Sequence, residues 1–159
     1  MSVYDLLILG GGPAGLAAGI YGARAKLKTA ILEKGAVGGM AFTTREIVNY
    51  PGFKSTTGPD LMKTMASHAK EFGAEIIKGQ ITEVDLDGEI KTVKTKKGVQ
   101  YQARAVILAP GSQPRLLNIP GEKKLRGSGV SYCATCDAEF YEDLTVVVVG
   151  NGDAAIEEA

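Results

Sequence analysis

The segment from Tyr4 to Glu33, YDLLILGGGPAGLAAGIYGARAKLKTAILE, leaves few folds open. It begins with an apolar run, Leu6-Leu7-Ile8-Leu9, of the length and type of a buried parallel strand. Gly10, Gly12 and Gly15 follow at G-x-G-x-x-G spacing, and Pro13 to Ala25, rich in small residues, reads as a helix. A second apolar strand, Thr29 to Leu32, ends at Glu33, an acid about 20 residues beyond the glycines. The segment is therefore a βαβ unit. Gly10 permits a tight turn out of the strand, Gly12 lets a pyrophosphate approach the backbone, and Gly15 lets the helix lie close to the sheet. Pro13 suits the first helical turn, where its missing N–H costs little. The helix N-terminus offers N–H groups and partial positive charge to an anion. Glu33 can accept hydrogen bonds from both ribose hydroxyls of an adenosine. A glycine-rich αβ turn without a ligand is the plainer reading; the complete strand–helix–strand–acid pattern favours a dinucleotide.

The remaining chain narrows the class. Its 159 residues suffice for an ordinary domain with a real core. Lys plus Arg and Asp plus Glu each number 18, so the formal charge is zero and nothing points to nucleic acid or an anionic membrane. No apolar stretch approaches the roughly 18 residues of a membrane span. The N-terminus does not read as a signal peptide, which leaves the cytoplasm as the default setting.

Lys34 to Thr57 forms a long irregular region with Gly35, Gly38, Gly39, Pro51 and Gly52, and loops of this length are usually functional. Gly58-Pro59-Asp60 looks like a helix start. Leu61, Met62, Met65, Ala69 and Phe72 recur at helical spacing up to Gly73. His68 on that helix is expected at the surface or half-buried, without a catalytic role. From Glu75 the period changes. Ile76-Ile77, Ile81–Leu86, Ile90–Thr95 and Val99–Gln102 read as short strands, with hairpin turns at Asp87-Gly88 and Lys97-Gly98: a small antiparallel meander. The lysines Lys91, Lys94, Lys96 and Lys97 fit a solvated face of it. Ala105 to Leu108 reads as a further buried parallel strand, ending in the turn Ala109-Pro110-Gly111-Ser112. Gln113 to Gly129 is a connector, with a boundary expected near Arg115 to Asn118.

The last third carries Cys133-Ala134-Thr135-Cys136-Asp137 and then Val146–Val149, Gly150, Gly152 and Ala155, a second strand-and-glycine opening with a helix starting at Ile156. Because that opening stops inside its crossover helix, the 159 residues are expected to be the N-terminal part of a longer polypeptide. The C-x-x-C pair favours redox chemistry in a reducing compartment. In a helical turn the first sulfur should be the more exposed and gain most from the N-terminal amides. Asp137 can act as proton donor or acceptor. Structural zinc is the alternative, but such a site takes four ligands, and this chain offers these two cysteines and the distant His68. Two inert buried thiols are the other.

Taken together, G-x-G-x-x-G, Gly38-Gly39, Asn49-Tyr50-Pro51-Gly52-Phe53, Ala109-Pro110-Gly111, the Cys133 to Asp137 motif and the second glycine motif ending in Glu157-Glu158-Ala159 closely resemble the low-molecular-weight thioredoxin reductases of bacteria and archaea. The resemblance runs through the whole chain and stops about halfway along the usual family length. It implies an α/β fold: a Rossmann-like FAD-binding domain, with a parallel sheet and a small antiparallel meander, over residues 1–115. The start of a second Rossmann-like NAD(P)H-binding domain, carrying the redox cysteines, would span residues 116–159. Gly10, Gly12, Pro13, Ala14, Gly15, Glu33 and Lys34 would hold the ADP half of FAD. Gly39, Met40, Asn49 and Ala109, Pro110 and Gly111 would line the pyrophosphate, ribityl or flavin. Gly150, Gly152 and Ala155 would approach the NADPH pyrophosphate. Cys133 would attack the thioredoxin disulfide, Cys136 would face the flavin, and Asp137 would be the acid–base group, with no metal. Two electrons would pass from NADPH through FAD and the Cys133–Cys136 disulfide to thioredoxin, with a domain rotation between the steps, in a cytoplasmic homodimer. Three departures stand out: Met40 replaces the family's usual glutamine, Pro110 its threonine and Ala138 its glycine. The positions that would read the 2′-phosphate of NADPH lie beyond Ala159, so NADH or a ferredoxin donor, or another thiol partner, stays open. A dinucleotide-binding fragment without turnover stays open too.

Overall fold

Three parallel strands that read as apolar runs form the centre of the first part of the chain. They are β1 (Tyr4–Leu9), β2 (Thr29–Glu33) and the second half of β6 (Gln100–Leu108). The computed structural model describes residues 3–159 and divides the chain into two compact units, one ending at Gln113 and the other Pro114–Ala159. In the first unit a single six-stranded sheet runs β3-β2-β1-β6-β5-β4, with β3 (Glu75–Lys78), β4 (Ile81–Asp85) and β5 (Lys91–Thr95). The β1, β2, β3 and β6 pairings are parallel, and β4-β5-β6 are antiparallel.

Two strand expectations need correcting. Ile76-Ile77 belongs to β3, which pairs with β2 in parallel and is no part of the meander. Val99–Gln102 and Ala105–Leu108 are one strand, β6, whose Ala103 faces Tyr4 of β1 on one side and Lys91 of β5 on the other. The β5 pairing ends at Ala103, so beyond it β6 keeps β1 as its partner and runs along an open margin. Ile107 and Leu108, expected inside, are consequently exposed.

The helices form as their sequences dictate. α1 (Pro13–Arg24) packs Leu16, Ile20 and Ala23 with Leu6, Ile8 and Ile31 of the sheet. α2 (Gly58–Glu71) buries Leu61, Met62, Met65 and Ala69, the predicted stripe, against the same face. Its start is capped: the Thr57 hydroxyl accepts from the Asp60 N–H at 3.2 Å and donates to the Asp60 carboxylate at 2.6 Å. On the opposite face Leu7, Leu9, Ala30 and Leu32 meet Val93 and Ala103, so the meander roofs the sheet there. Leu7, Ile8, Leu16, Ile31 and Leu32 are essentially inaccessible to solvent, and burying each contributes about 1.5–3 kcal/mol. The predicted hairpin turns are present, with Gly88 and Gly98 at positive φ. His68 is exposed on α2 against the Phe72 ring.

The second unit is built from short pieces: α3 (Glu122–Leu125), α4 (Ala134–Asp137), a 3₁₀ turn over Ala138–Tyr141, and α5 (Asp153–Glu157). The strand expected at Val146–Val149 does not form, and Val147 is 85% exposed. An apolar run becomes a strand only where a neighbour takes up its backbone groups. Among the described residues no helix is long and apolar enough to cross a membrane.

Candidate functional site

In the first unit the carboxyl ends of β2, β1 and β6 converge where the strand order reverses on either side of β1, the usual place for a ligand in such a sheet. The Gly10 N–H donates to Leu32 at 2.9 Å and the Ala109 N–H to Leu9 at 2.9 Å, which carries the sheet one residue past both strands. Gly10 has φ +116°, and a Cβ there would lie 2.0 Å from the Ala109 oxygen. A Cβ on Gly15 would lie 1.8 Å from the Gly10 oxygen. These two glycines thus let turn, helix and the Ala109 turn close on one another. Gly12 is the N-cap of α1, no side chain caps that helix end, and Pro13 opens it.

The loop after β2 folds back onto this turn. The Gly38 N–H donates to the Gly11 carbonyl at 2.7 Å. A Cβ on Gly39 would come to 3.3 Å from the Gly12 Cα. The two backbones therefore pack against each other with no side chain between them, a bare backbone surface of the kind a pyrophosphate can approach closely. Glu33 ties the arrangement together: one carboxylate oxygen accepts the Gly11 N–H and the other the Gly35 N–H, each at 2.8 Å. A carboxylate has about four acceptor positions, so Glu33 keeps capacity for ribose hydroxyls.

The structure thus brings together Gly10, Gly12, Pro13, Gly15, Glu33, Gly39 and Ala109. Ala14 is exposed in the first turn of α1, and Lys34 is exposed beside Glu33. Met40 sits half-buried in a 3₁₀ turn over Gly39–Thr43, its carbonyl accepting from the Thr43 hydroxyl at 2.8 Å. Pro110 and Gly111 are exposed past the end of β6. Asn49 lies exposed in a loop whose ends are closed by the Ile47–Thr56 bridge, away from the glycine turn's own contacts. Gly11 was missed in the sequence, although the unbroken run Gly10-Gly11-Gly12 signals it. It donates to Glu33 and accepts from Gly38, joining acid and loop.

In the second unit Cys133 and Cys136 are joined as a disulfide, with Cα atoms 5.3 Å apart. Cys133 is the N-cap of α4, and the Cys136 and Asp137 N–H groups return to its carbonyl at 3.2 and 3.1 Å. The expected exposure is reversed: Cys133 is half-buried and Cys136 exposed. The N-terminal amides are also already engaged. The Ala134 N–H donates to the Glu158 carboxylate at 2.9 Å and the Cys133 N–H to the Ser131 hydroxyl at 3.1 Å. The Ser131 hydroxyl in turn donates to Asp137 Oδ2 at 2.6 Å. Among the described residues no group of three or more His, Cys, Asp or Glu side chains is placed to hold a metal.

A second carboxylate stitches the segment before the cysteines. Glu122, 4% exposed, accepts the Leu117 N–H at 2.9 Å, the Asn118 N–H at 2.7 Å and the Tyr132 O–H at 2.9 Å. The backbone bond from Leu117 leads the effects that hold its carboxyl below the ordinary range. Burial first, then the bond to Glu122, raises the Tyr132 phenol. Glu122, inside the connector, and Ser131, just after it, carry no sequence signal because neither has a periodic or spaced partner. The second glycine turn folds locally: a Cβ on Gly150 would meet the Ala155 Cβ at 2.7 Å, and Gly152 caps α5 with open space around it.

The sequence profile described as "Pyridine nucleotide-disulphide oxidoreductase" matches residues 4–159. The chain is 57% identical over 159 residues to a thioredoxin reductase of Peptoclostridium acidaminophilum, covering 99% of this chain and 50% of that protein. It is 48% identical over 156 residues to the thioredoxin reductase of Bacillus subtilis (strain 168), covering 98% of this chain and 49% of that one. Among solved structures, thioredoxin reductase from Streptococcus pyogenes MGAS5005 superposes with a TM-score of 0.92 at 44% identity, covering 99% of this chain and 51% of that one. The chain spans about half the length of the curated relatives it matches.

Proposed function

The chain belongs to the pyridine nucleotide-disulphide oxidoreductase family, and from that premise we propose that it is the flavin-binding and redox-cysteine portion of an NADPH-dependent thioredoxin reductase. The observation that carries the reading is one chain with bare glycine backbone at Gly12 and Gly39 beside the start of α1 and a Cys133–Cys136 disulfide with Asp137 in the same turn. These residues fit FAD: Gly10, Gly12 and Gly39 would let backbone approach its pyrophosphate, the α1 N-terminus would face the phosphate charge, and Glu33 would accept from the adenosine ribose. When bound, FAD supplies two-electron transfer between a nicotinamide nucleotide and a disulfide. Gly150, Gly152 and Ala155 are assigned to the nucleotide's pyrophosphate on sequence pattern and family.

Cys133 and Cys136 receive two electrons and become a dithiol. One thiolate attacks the disulfide of thioredoxin, forming a mixed disulfide and releasing a partner thiolate. The other cysteine then displaces the second partner thiolate and restores the Cys133–Cys136 bond. Asp137 holds and returns the protons. A cycling C-x-x-C further supports a reducing compartment such as the cytoplasm.

The test is an anaerobic visible spectrum before and after NADPH, followed by thioredoxin turnover, on the full-length protein. A flavin band that NADPH bleaches, with thioredoxin reduced, is the expected result. The Cys136→Ser variant should retain flavin and lose disulfide reduction. Normal turnover in that variant, or purified protein devoid of flavin, overturns the reading.

A further inference from the structure

Around the cysteine pair, one side chain joins the first cysteine to the acid. The single proton of Ser131 goes to the shorter of its two acceptors, Asp137 Oδ2 at 2.6 Å, in preference to the Cys133 carbonyl at 3.3 Å. With its proton so committed, the Ser131 oxygen accepts the Cys133 N–H at 3.1 Å. The Asp137 N–H closes the ring on the Cys133 carbonyl at 3.1 Å. One carboxylate oxygen of Asp137 is therefore tethered to a residue two positions before Cys133.

We propose that Ser131 is a positioning residue for thiol–disulfide exchange, holding the Asp137 carboxylate in place to take the proton of the resolving cysteine thiol. This deepens the disulfide-reductase reading and rests on it. In the step concerned, one cysteine is already in a mixed disulfide. The other loses its proton to Asp137, its sulfur attacks, the Cys133–Cys136 bond forms, the mixed disulfide breaks, and the partner leaves as a thiolate. Two electrons pass from the dithiol to the partner. The serine hydroxyl changes neither bonds nor charge; it sets where the acceptor oxygen lies.

An aromatic disulfide, dithiobis-nitrobenzoate, reads that step without NADPH or thioredoxin. Full-length protein is reduced with dithiothreitol, desalted without oxygen and mixed with the probe. The first thionitrobenzoate released reports attack, and the second reports resolution. The leaving thiolate is a weak base that needs no proton, so the acid–base group acts on the cysteine side alone. Ser131→Ala should slow the second phase about tenfold, a part of the roughly 10²–10⁴ available to a positioned acid–base group, and leave the first phase unchanged. Ser131→Thr should restore it, and Ser131→Ala should add nothing further in an Asp137→Asn background. Equal slowing of both phases, an unchanged second phase, a threonine variant no better than alanine, or full additivity with Asp137→Asn overturns the proposal. Wild-type protein that shows both phases but does not reduce thioredoxin overturns the functional reading and leaves the role of Ser131 measured.

Discussion

Leu6–Leu9 with Gly10, Gly12 and Gly15, and Val146–Val149 with Gly150, Gly152 and Ala155, are nearly the same sentence in sequence, and the chain folds them differently. The first becomes a buried strand, a turn and a twelve-residue helix. The second keeps the turn and a five-residue helix, but its valines lie exposed and unpaired in any ladder. Glycine spacing is enough for the turn, because it acts through close approach within a few residues. A strand needs partners, and β1 has β2 on one side and β6 on the other. The difference also separates two kinds of site. The glycine turn of the first unit is made by backbone packing against the Ala109 turn and the Gly38–Gly39 loop, whereas the cysteine turn of the second is held by hydrogen bonds that Cys133, Tyr132 and Ala134 donate to Ser131, Glu122 and Glu158.

The largest way to break this comparison is to put a side chain where only the first motif forbids it. In Gly15→Val the new Cβ would start 1.8 Å from the Gly10 oxygen, backbone against backbone, so neither side can yield cheaply. The expected cost is about 3 kcal/mol or more, with loss of bound flavin. Gly152 has nothing within 4 Å of its would-be Cβ, and Gly152→Ala should shift stability by no more than about 0.5 kcal/mol. Urea unfolding midpoints with flavin absorbance read both. A Gly15→Val protein of normal midpoint would mean that the turn is not closed as described. A Gly152→Ala protein as damaged as Gly15→Val would mean that the second motif packs in the full-length protein.

The same contrast explains what was legible beforehand. The βαβ unit, the α2 stripe of Leu61, Met62, Met65 and Ala69, and the glycine turns at Gly88 and Gly98 are written in local period and turn chemistry, and the structure has them. The continuity of β6 through Ala103 was hidden, because Arg104 interrupts an apolar pattern and nothing local says that one strand serves two neighbours. The exposure of Leu108 was hidden for the same reason: burial of an apolar run depends on what covers it. In the candidate site, Gly10, Gly12, Gly15 and Glu33 could be placed from spacing, since they act within one supersecondary unit. Gly11, Ser131 and Glu122 act through hydrogen bonds that no recurring spacing announces, so spacing was silent about them. The relative exposure of Cys133 and Cys136 was misjudged for a related reason. It is set by the residues around a four-residue turn, not by helix position.

A second, smaller test sets the two apolar runs against each other directly. Leu7 is fully buried between the sheet and the meander, and Leu7→Ala should cost about 2–5 kcal/mol. Val147 is 85% exposed, and Val147→Ala should stay within about 0.5 kcal/mol. Parallel denaturation curves decide it. A Val147→Ala cost in the range of Leu7→Ala would place the valine run in a ladder in the full-length protein and remove the contrast between the two runs.

The finest distinction concerns the acid that organises the second unit. Glu122 holds its carboxyl below the ordinary value of 4.5, chiefly through the Leu117 N–H and further through the Tyr132 hydroxyl and the Asn118 N–H. A carboxyl lowered on folding binds its proton more readily in the unfolded chain, so stability rises with pH across that window. Its contribution is therefore complete above 4.5 and is lost as the pH falls through the lower folded value. Amide shifts of Leu117 and Asn118 followed by NMR should titrate together in that acid window, and the Glu122→Gln variant should abolish the shared titration. Tyr132→Phe should move the midpoint back toward 4.5, because it removes one donor to the ionised form while leaving both backbone donors in place. If the two amides do not follow one group, Glu122 is not the clasp between the connector and the cysteine segment, and the cohesion of the second unit has to come from elsewhere.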